Sequence, residues 1–361
     1  MKIYKCIGLM SGTSLDGLDL AYCHIWKTAE SWTFSIEKTQ SISYTQEMRA
    51  QLKNSIHLAA EELLCLNNWY GTWLGEQAKN FIDSNGLEVH FIASHGHTTH
   101  HRPEKGLTYQ IGSGQHLANA SGHKVVCDFR TNDVALGGQG APLVPIGDRL
   151  FFSQYDFCLN LGGISNISFE HGQKRIAYDI GLANMLLNHI TQKKGLAYDK
   201  GGELARKGTL NVKMVQQLNA LEYYSLPFPK STGYEWFVEK VVPIVDGTQD
   251  TMENLLHSCV HHICEQVALQ VKANSPNKKT SLFVAGGGAL NTFMMEILQQ
   301  KLGATTTLVL TDPTLIEFKE ALVFALMGVL RLEGKNNVLS SVTGASRDSS
   351  SGVMFLPAGG H

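Results

Sequence analysis

The chain has 361 residues, of which 43% are hydrophobic and 17% charged, and its formal net charge is −2. A chain of this length and composition can bury large cores, so it is expected to form two folded domains and not a disordered chain. The near-neutral charge argues against a broad basic surface for nucleic acid or anionic lipid, although a local phosphate site is still allowed.

The cysteines and the start of the chain favour a cytoplasmic protein. Seven cysteines are scattered without a CxxC pair, which is typical of reduced, buried thiols. The opening residues become polar and glycine-rich before a signal-peptide core could form, and no apolar run approaches the roughly 18 residues of a membrane span. The sequence therefore predicts a cytoplasmic enzyme with no membrane partner and no nucleic-acid partner.

The first half of the chain reads as a mixed sheet with helices. Apolar strands joined by short turns are predicted at 3–10, 18–26 and 32–44, as an antiparallel meander. From 46 to about 82 the apolar spacing becomes helical, and the segments VHFIASHG and KVVCDF then return as buried strands. The stripe of this helix consists of Leu63, Leu66, Tyr70 and Leu74. The pattern predicts an α/β or α+β layered structure.

The turn GTSLDG at 12–17 is richer in glycine and polar residues than a hairpin requires. Backbone N–H groups freed by glycine can form an anion nest, hydroxyls add donors, and the two aspartates can orient a hydrated Mg²⁺. The local alternative is that the glycines serve a tight turn and the hydroxyls cap the backbone. The predicted phosphate-binding residues here are Gly12, Thr13, Ser14, Asp16, Gly17 and Asp19.

The second half repeats this pattern. FCLNLGGISNISFE at 157–170 is again a strand, a glycine-rich turn and a strand, and LFVAGGGALN at 282–291 leads a strand into a helix. Neither GxxxxGK[ST] nor GxGxxG occurs, so a P-loop and a Rossmann site are not expected. Two hairpin tips and a later glycine turn resemble instead the actin, Hsp70 and sugar-kinase superfamily, in which ATP lies between two ribonuclease-H-like domains. The corresponding residues are Gly162, Gly163 and Ser165 for phosphate and Gly286, Gly287 and Gly288 for close approach of the adenosine.

A narrower resemblance covers residues from about 7 to 352. The blocks look, in order, like those of the anhydro-N-acetylmuramic acid kinase family: GLMSGTSLDGLD, SHGHTTHHRP, DFRTNDVALGGQGAPLVP, NLGGISNI, YDIGLANMLLN, KSTGYEW, VAGGGALN, EFKEALVFALMG and SSVTGAS. The resemblance implies an ATP- and Mg²⁺-dependent reaction in cell-wall recycling. Water opens the 1,6-anhydro ring of the sugar at C1, while O6 takes the γ-phosphate, giving N-acetylmuramic acid 6-phosphate and ADP.

Such a reaction needs a carboxylate to take a proton from the attacking water. Asp179, in YDIGLAN, matches the family's catalytic aspartate. The alternative is that Asp179 caps a helix beginning near Leu182. Leu182 and Ala183 stand where the family more often has proline and glycine, which leaves the loop shape and substrate detail open.

The family blocks also supply candidates for the sugar. Arg130 could pair with the lactyl carboxylate or with developing phosphate charge, because a guanidinium donates two parallel hydrogen bonds; a surface salt bridge is the alternative. His95, Asp133 and Glu317 are further pocket candidates. Glu317 could equally be a solvated residue in the first turn of a helix.

Three further motifs are expected to be structural. The histidines of SHGHTTHHRP and of HSCVHHIC suggest metal, but no HExxH pattern completes a zinc site, and no metal site is predicted there. KSTGYEW offers Ser231 or Thr232 as a helix cap. The segment 316–332 has a helical apolar stripe typical of core packing, formed by Ala321, Leu322, Ala325 and Val329.

The predicted domains are residues 1–128 with 345–361, and 129–344. A two-lobed body of this kind is expected to close on its ligands by a hinge. Two other functions stay open: a different sugar kinase or ATP hydrolase of the same superfamily, and a non-enzymatic protein that binds ATP. The sequence does not fix the assembly, for which a homodimer is one option.

Overall fold

The structure is a computed structural model that describes residues 2–12, 15–29, 31–275 and 279–359. Thr13 and Ser14 of the first predicted phosphate turn lie outside these ranges. The chain divides into two compact units: unit 1 comprises Met1–Phe151 and Phe318–His361, and unit 2 comprises Phe152–Glu317. The predicted domain limits, 128/129 and 344/345, stay a prediction, and the compact units divide at other positions.

The strands are β1 (Ile3–Ser11), β2 (Gly17–Lys27), β3 (Trp32–Ser43), β4 (Phe91–Ser94), β5 (His97–Arg102), β6 (Leu107–Ile111), β7 (Val125–Cys127), β8 (Phe157–Leu161), β9 (Ile164–His171), β10 (Lys174–Leu182), β11 (Thr280–Ala285), β12 (Thr306–Leu310) and β13 (Val353–Phe355).

The helices are α1 (Gln46–Asn54), α2 (Ala60–Asn85), α3 (Gly114–Ser121), α4 (Thr131–Ala135), α5 (Pro145–Phe151), α6 (Asn184–Gln192), α7 (Glu203–Lys207), α8 (Val212–Asn219), α9 (Tyr234–Trp236), α10 (Val242–Gly247), α11 (Met252–Asn274), α12 (Thr292–Leu302), α13 (Pro313–Leu332) and α14 (Ser340–Thr343). Among the described residues, none of these helices is both long and apolar enough to cross a membrane.

Unit 1 is built on a mixed sheet with the strand order β13-β7-β4-β1-β2-β3. The predicted meander is confirmed, because β1 pairs with β2 and β2 with β3 in antiparallel fashion. β4 and β7 extend the sheet in parallel with β1, and β13 closes the edge antiparallel to β7. The crossovers between the parallel strands bring helices onto the faces of the sheet, as such connections require.

One prediction in unit 1 was wrong. The helix expected from 46 to about 82 is two helices, because the chain breaks into a tight turn at Ser55, whose hydroxyl donates to the Leu52 carbonyl at 2.7 Å. α2 then restarts where the Glu62 carboxylate accepts the Ala59 N–H. The predicted apolar stripe is correct: Tyr70 and Leu74 are fully buried in the core of this unit.

β1 and α13 pack backbone to backbone in unit 1. A Cβ placed on Gly8, in the middle of β1, would lie 1.8 Å from the Ala321 carbonyl oxygen. The predicted stripe of α13 is confirmed as core, since Ala321, Leu322, Ala325 and Val329 are all buried. Only glycine permits so close an approach of a strand to this helix.

Unit 2 repeats the central part of this topology. Its sheet has the order β10-β9-β8-β11-β12, with β9 antiparallel to its neighbours and β11 and β12 parallel to β8. In both units, therefore, the first five strands of the sheet follow the order 3-2-1-4-5 with the second strand reversed, which is the ribonuclease-H-like arrangement. The predicted fold class, an α/β protein with two ribonuclease-H-like halves, is confirmed.

Candidate active site

The predicted phosphate hairpin of unit 2 has its backbone carbonyls directed at the start of α6. The Gly162 carbonyl accepts the N–H of Asn184, and the Gly163 carbonyl accepts those of Ala183 and Met185, at 2.9–3.1 Å. No hydrogen bond within the described residues uses the N–H groups of Gly162 and Gly163. These two N–H groups are therefore the ones available to an anion at the tip.

Ser165, which is predicted to contact phosphate, makes a side-chain hydrogen bond within unit 2. Its side chain is buried, and its hydroxyl donates to the Gly181 carbonyl at 2.9 Å, across the β9–β10 pair. A hydroxyl has one donor, and this bond uses it. Phosphate contact by Ser165 stays a prediction; the contact that the structure describes holds β10 beside the hairpin.

The three glycines of the later turn are not equivalent. A Cβ on Gly286, whose φ is +80°, would lie 2.6 Å from Asn160 Oδ1, and one on Gly288 would lie 2.6 Å from Leu161 Cβ. Both glycines therefore let the turn pack against the end of β8. A Cβ on Gly287 would have its nearest neighbour, Asn184 Nδ2, at 3.9 Å. Of the three, Gly287 is the residue with open space beside it.

That space is a cavity of about 530 Å³ beyond the carboxyl end of β11. Such a position and volume are typical of small-molecule sites in parallel sheets. Its walls are Asn184, Leu187, Asn188, Tyr198, Asp199, Lys200, Gly201, Gly287, Leu290 and Asn291. Sequence reasoning found only Gly287 among them. The signal it passed over was Asp199-Lys200-Gly201-Gly202, where both glycines have positive φ and the Asp199 carboxylate accepts the N–H groups of Leu204 and Ala205.

The GGG turn is predicted to approach the adenosine, and this prediction assigns the cavity beside Gly287 to the nucleotide; filling the cavity should then weaken nucleotide binding. We expect Gly287→Leu to raise the dissociation constant of a non-hydrolysable ATP analogue at least about tenfold, equivalent to about 1.4 kcal/mol, as measured by isothermal titration calorimetry. Gly247→Leu is the matched control, because a Cβ there meets nothing within 4 Å and the residue lies outside the cavity wall. Equal affinity for the two variants would contradict this assignment of the cavity.

Asp179 lies inside β10 and not before a helix. The strand continues to Leu182, with a bulge between Asp179 and Gly181, so the expected helix start near Leu182 was placed too early. α6 begins at Asn184 with Ala183 in the cap position and no side-chain cap, so the reading of Asp179 as a cap was wrong. Leu182 pairs with Ile164 and is buried, and Ala183 is bonded to the hairpin through its N–H.

The Asp179 carboxylate has one oxygen held and one free. Oδ2 accepts the backbone N–H of Thr232 at 3.1 Å, and Oδ1 makes no hydrogen bond to the part of the chain that the structure describes. Burial raises the pKa of this half-buried carboxyl, and the Thr232 N–H opposes that shift. A fixed carboxylate with one free oxygen and a raised pKa has the properties of a general base.

The first turn of unit 1 is only partly described. Gly17 is fixed by packing, since a Cβ there would lie 2.3 Å from the Ile42 carbonyl oxygen, and Gly12 accepts the Leu15 N–H. The Asp16 side chain is exposed, whereas Asp19 is half-buried and accepts the Ser41 hydroxyl at 2.6 Å. Of the two aspartates, Asp16 is the one whose carboxylate faces solvent and could receive a hydrated cation.

Arg130 and His95 form one polar pair in unit 1. Arg130 donates from Nε to His95 Nε2 at 2.9 Å and from Nη1 to the Gly140 carbonyl at 2.6 Å, which makes His95 a neutral acceptor. Burial, and then the Arg130 charge, hold the pKa of His95 well below its usual range. No carboxylate lies within ion-pair distance of Arg130 among the described residues, so the surface salt bridge has no support here. Nη2 makes no hydrogen bond to the described residues.

The two acidic candidates are placed differently. Asp133 is fully buried; its Oδ2 accepts the Gly140 N–H and its Oδ1 accepts the Thr343 hydroxyl, both at 2.7 Å. These contacts support a role in holding the Gly140 loop, and its sugar contact stays a prediction. Glu317 is exposed and has no ion pair within the described ranges, as expected for a solvated helix residue.

Sequence reasoning missed Glu320, one turn further along α13. Partial desolvation raises the pKa of Glu320, the charge of Asp19 adds to that rise, and the charges of Arg130 and Lys319 oppose it. In turn, the Glu320 charge counteracts the burial that lowers the pKa of Arg130 to about 10. The helical phase of EFKEAL was the available signal, since residues three apart share a face.

Several histidines of the two motifs contact other groups of the protein. His97 Nδ1 lies 3.1 Å from the Ser11 hydroxyl, and burial lowers the pKa of His97 to about 4. The rings of His257 and His261 stack at 4.7 Å, and His257 Nδ1 donates to the Ala205 carbonyl. Within the described residues, no group of three or more histidine, cysteine or acidic side chains could hold a metal ion.

Comparison with known proteins assigns the family. A family model described as anhydro-N-acetylmuramic acid kinase matches residues 4–357. Proteins of that name from Aliivibrio fischeri and Nitrosomonas europaea are each 34% identical to this chain, covering 97% of it and 99% of their own length. Among solved structures, the activator of 2-hydroxyisocaproyl-CoA dehydratase from Clostridium difficile aligns over 91% of this chain and 97% of its own, with a TM-score of 0.43 and 10% identity. The chain belongs to the anhydro-N-acetylmuramic acid kinase family and is a kinase.

Proposed function

We propose that this protein opens the 1,6-anhydro ring of anhydro-N-acetylmuramic acid with water and transfers the γ-phosphate of ATP to O6. The observation that carries the proposal is the Asp179 carboxylate, which is half-buried, anchored at Oδ2 by the Thr232 N–H and free at Oδ1. Water is a poor nucleophile, so a base is needed to take a proton from the water as the water oxygen bonds to C1. The proposed setting is cell-wall recycling in the cytoplasm.

The nucleotide is proposed to bind unit 2. The cavity beside Gly287 would take the adenosine, and the N–H groups of Gly162 and Gly163 would donate to phosphate oxygens. Phosphoryl transfer is accelerated mainly by position and charge, so backbone donors of fixed geometry suit it. Mg²⁺, which neutralises phosphate charge when it is bound with ATP, would be held by phosphate oxygens and by carboxylate or water ligands, the oxygen donors that it prefers.

The sugar is proposed to bind the charged groups of unit 1. Arg130 keeps Nη2 available after its bonds to His95 and Gly140, and this donor suits the lactyl carboxylate. Glu320 offers an acceptor for a sugar hydroxyl.

The test is sugar-dependent ADP release in ATP and Mg²⁺, with the reaction run in ¹⁸O-labelled water. We expect release with anhydro-N-acetylmuramic acid, one ¹⁸O at C1 of the product and phosphate on O6, and background release with N-acetylglucosamine, glucose or no sugar. Release without sugar would indicate an ATP hydrolase, and release with plain hexoses would indicate a different sugar kinase. Either result contradicts the proposal.

The base should also govern the acid side of the pH profile. Asp179 works when ionised, and burial raises its pKa above the ordinary value of 3.8, so kcat/KM should fall as pH drops through a midpoint above 3.8. The assay is an initial-rate profile from pH 4 to 8 at about 0.15 M salt, with recovery of full activity on return to neutral pH as the control for unfolding. A profile that is flat over this range would contradict the assignment.

A further inference from the structure

One segment of unit 2 contacts Asp179 at three points. The Tyr223 hydroxyl donates to the Asp179 carbonyl at 2.8 Å, the Asp179 N–H donates to the Lys230 carbonyl at 3.2 Å, and the Thr232 N–H donates to Oδ2 at 3.1 Å. Two of these bonds use the main chain of Asp179 and the third uses its carboxylate, and together they reach both ends of the segment 223–232. The segment and the carboxylate are therefore fixed relative to one another.

The start of this segment is held in place by packing and hydrogen bonds of Tyr224. The Tyr224 ring packs on Gly181, where an added Cβ would lie 2.6 Å from Tyr224 Cε1, and the Tyr224 hydroxyl lies 2.9 Å from His262 Nε2. His262 Nδ1 is in turn hydrogen-bonded to Asn219 Oδ1. Buried networks that are satisfied in this way hold side chains in one arrangement.

The Thr232 hydroxyl, by contrast, has no hydrogen-bond partner in the part of the chain that the structure describes. Oγ1 of Thr232 is buried, and nothing in the described residues pairs with it. It does not cap a helix, as the sequence suggested, because α9 begins at Tyr234 with Gly233 in the cap position and no side-chain cap. A buried hydroxyl without a partner is unfavourable and uncommon in native proteins, so its position beside a catalytic carboxylate calls for a ligand.

A water molecule that attacks C1 needs two acceptors for a defined orientation. One proton passes to the base, and the other stays on the oxygen throughout, so a second acceptor can hold it and aim the lone pair at the carbon. We propose that Thr232 is a further catalytic residue, whose Oγ1 accepts a hydrogen bond from the attacking water while Asp179 accepts its other proton. This inference rests on the proposed function, since it requires hydrolytic ring opening.

The step balances without any further reactant. The water oxygen bonds to C1, the C1–O6 bond breaks, and O6 takes the γ-phosphoryl group as ADP leaves. One water proton ends on the Asp179 carboxylate, and the other remains on the new C1 hydroxyl. Thr232 exchanges neither a proton nor electrons and acts only as an acceptor.

The test compares Thr232→Val with Thr232→Ser. Valine keeps the shape and the backbone N–H but removes the hydroxyl, so we expect kcat to fall about 10- to 100-fold, while serine stays within about threefold of the wild type. The affinity for the ATP analogue and the midpoint of the acid limb should not change in either variant, because the N–H to Oδ2 remains. The valine variant should unfold at the same or a higher temperature.

Thr248→Val is the structural control, because the Thr248 hydroxyl donates to the Ile244 carbonyl at 2.7 Å. We expect it to lower the unfolding temperature and leave kcat unchanged, the reverse of Thr232→Val. Full activity of Thr232→Val, equal losses in the valine and serine variants, or a lower unfolding temperature for Thr232→Val would each overturn the role of Thr232. Asp179→Asn tests the general base separately. If Asp179→Asn is active, the proposed function is contradicted. If Asp179→Asn is inactive and Thr232→Val is fully active, only the inference about Thr232 is contradicted.

Discussion

Asp179→Asn should lower kcat by about 10³-fold while ATP-analogue binding is retained. General-base catalysis contributes about 10²–10⁴-fold, and asparagine cannot take the proton of the water although it still accepts the Thr232 N–H through its amide oxygen. The shape of the site is preserved, so the loss reports chemistry and not folding. The measurement is ADP release at saturating sugar and ATP, with calorimetry of the ATP analogue on the same preparation.

Asp83→Asn serves as the matched control, because Asp83 is exposed on α2 and pairs only with Lys79 in the described contacts. A surface pair of this kind contributes little, so this variant should have wild-type kcat and stability. If Asp179→Asn kept more than about a tenth of the wild-type kcat, the general-base role of Asp179 would have to be abandoned.

Gly8→Ala should destabilise unit 1 by about 4 kcal/mol or more. The new methyl group would lie 1.8 Å from the Ala321 oxygen and 2.6 Å from its carbonyl carbon. Both are main-chain atoms of a buried helix, so the contact cannot be relieved by rotating a side chain, and effects of this size are exceptional among single substitutions. Urea unfolding followed by circular dichroism measures the change.

Gly247→Ala is the control for the glycine-to-alanine change itself. A Cβ at Gly247 meets nothing within 4 Å, so this variant should match or slightly exceed the wild-type stability. If Gly8→Ala is recovered only from inclusion bodies, its soluble yield against that of Gly247→Ala gives the same ordering. Equal unfolding midpoints for the two variants would contradict the packing of β1 on α13.

Local patterns predicted the strands because strand and turn signals are short-range. The meander, the hairpin at 157–170 and the α13 stripe all follow from alternation, glycine placement or helical spacing within one element. The break between α1 and α2 was missed because the apolar spacing continues across it. A single hydroxyl, that of Ser55, ends α1 where no glycine or proline marks the sequence.

The site was harder to predict because its contacts connect distant residues. Asp179 is anchored by residues 223–232, and the bulge after Asp179 depends on pairing with β9, so YDIGLAN alone could not show that the strand continues to Leu182. The GGG turn indicated a close approach of a ligand to the backbone. In the structure, Gly286 and Gly288 pack against the end of β8, and only Gly287 of the three lines the cavity. Glu320 was missed because its electrostatic interaction with Arg130 connects α13 to the residue before α4, and the two are far apart in the sequence.

The division of the chain has a consequence for synthesis on the ribosome. Unit 2 is encoded between the two segments of unit 1, so all of its strands have emerged before the segment that starts at Phe318. Until residues 353–355 are synthesised, the first segment of unit 1 cannot form all of its contacts. Gly8 has no α13 to pack against until that helix emerges, and β7 (Val125–Cys127) has no β13 to pair with. Unit 2 therefore has its complete sequence outside the ribosome before unit 1 does, which reverses the order expected when the amino-terminal domain is completed first.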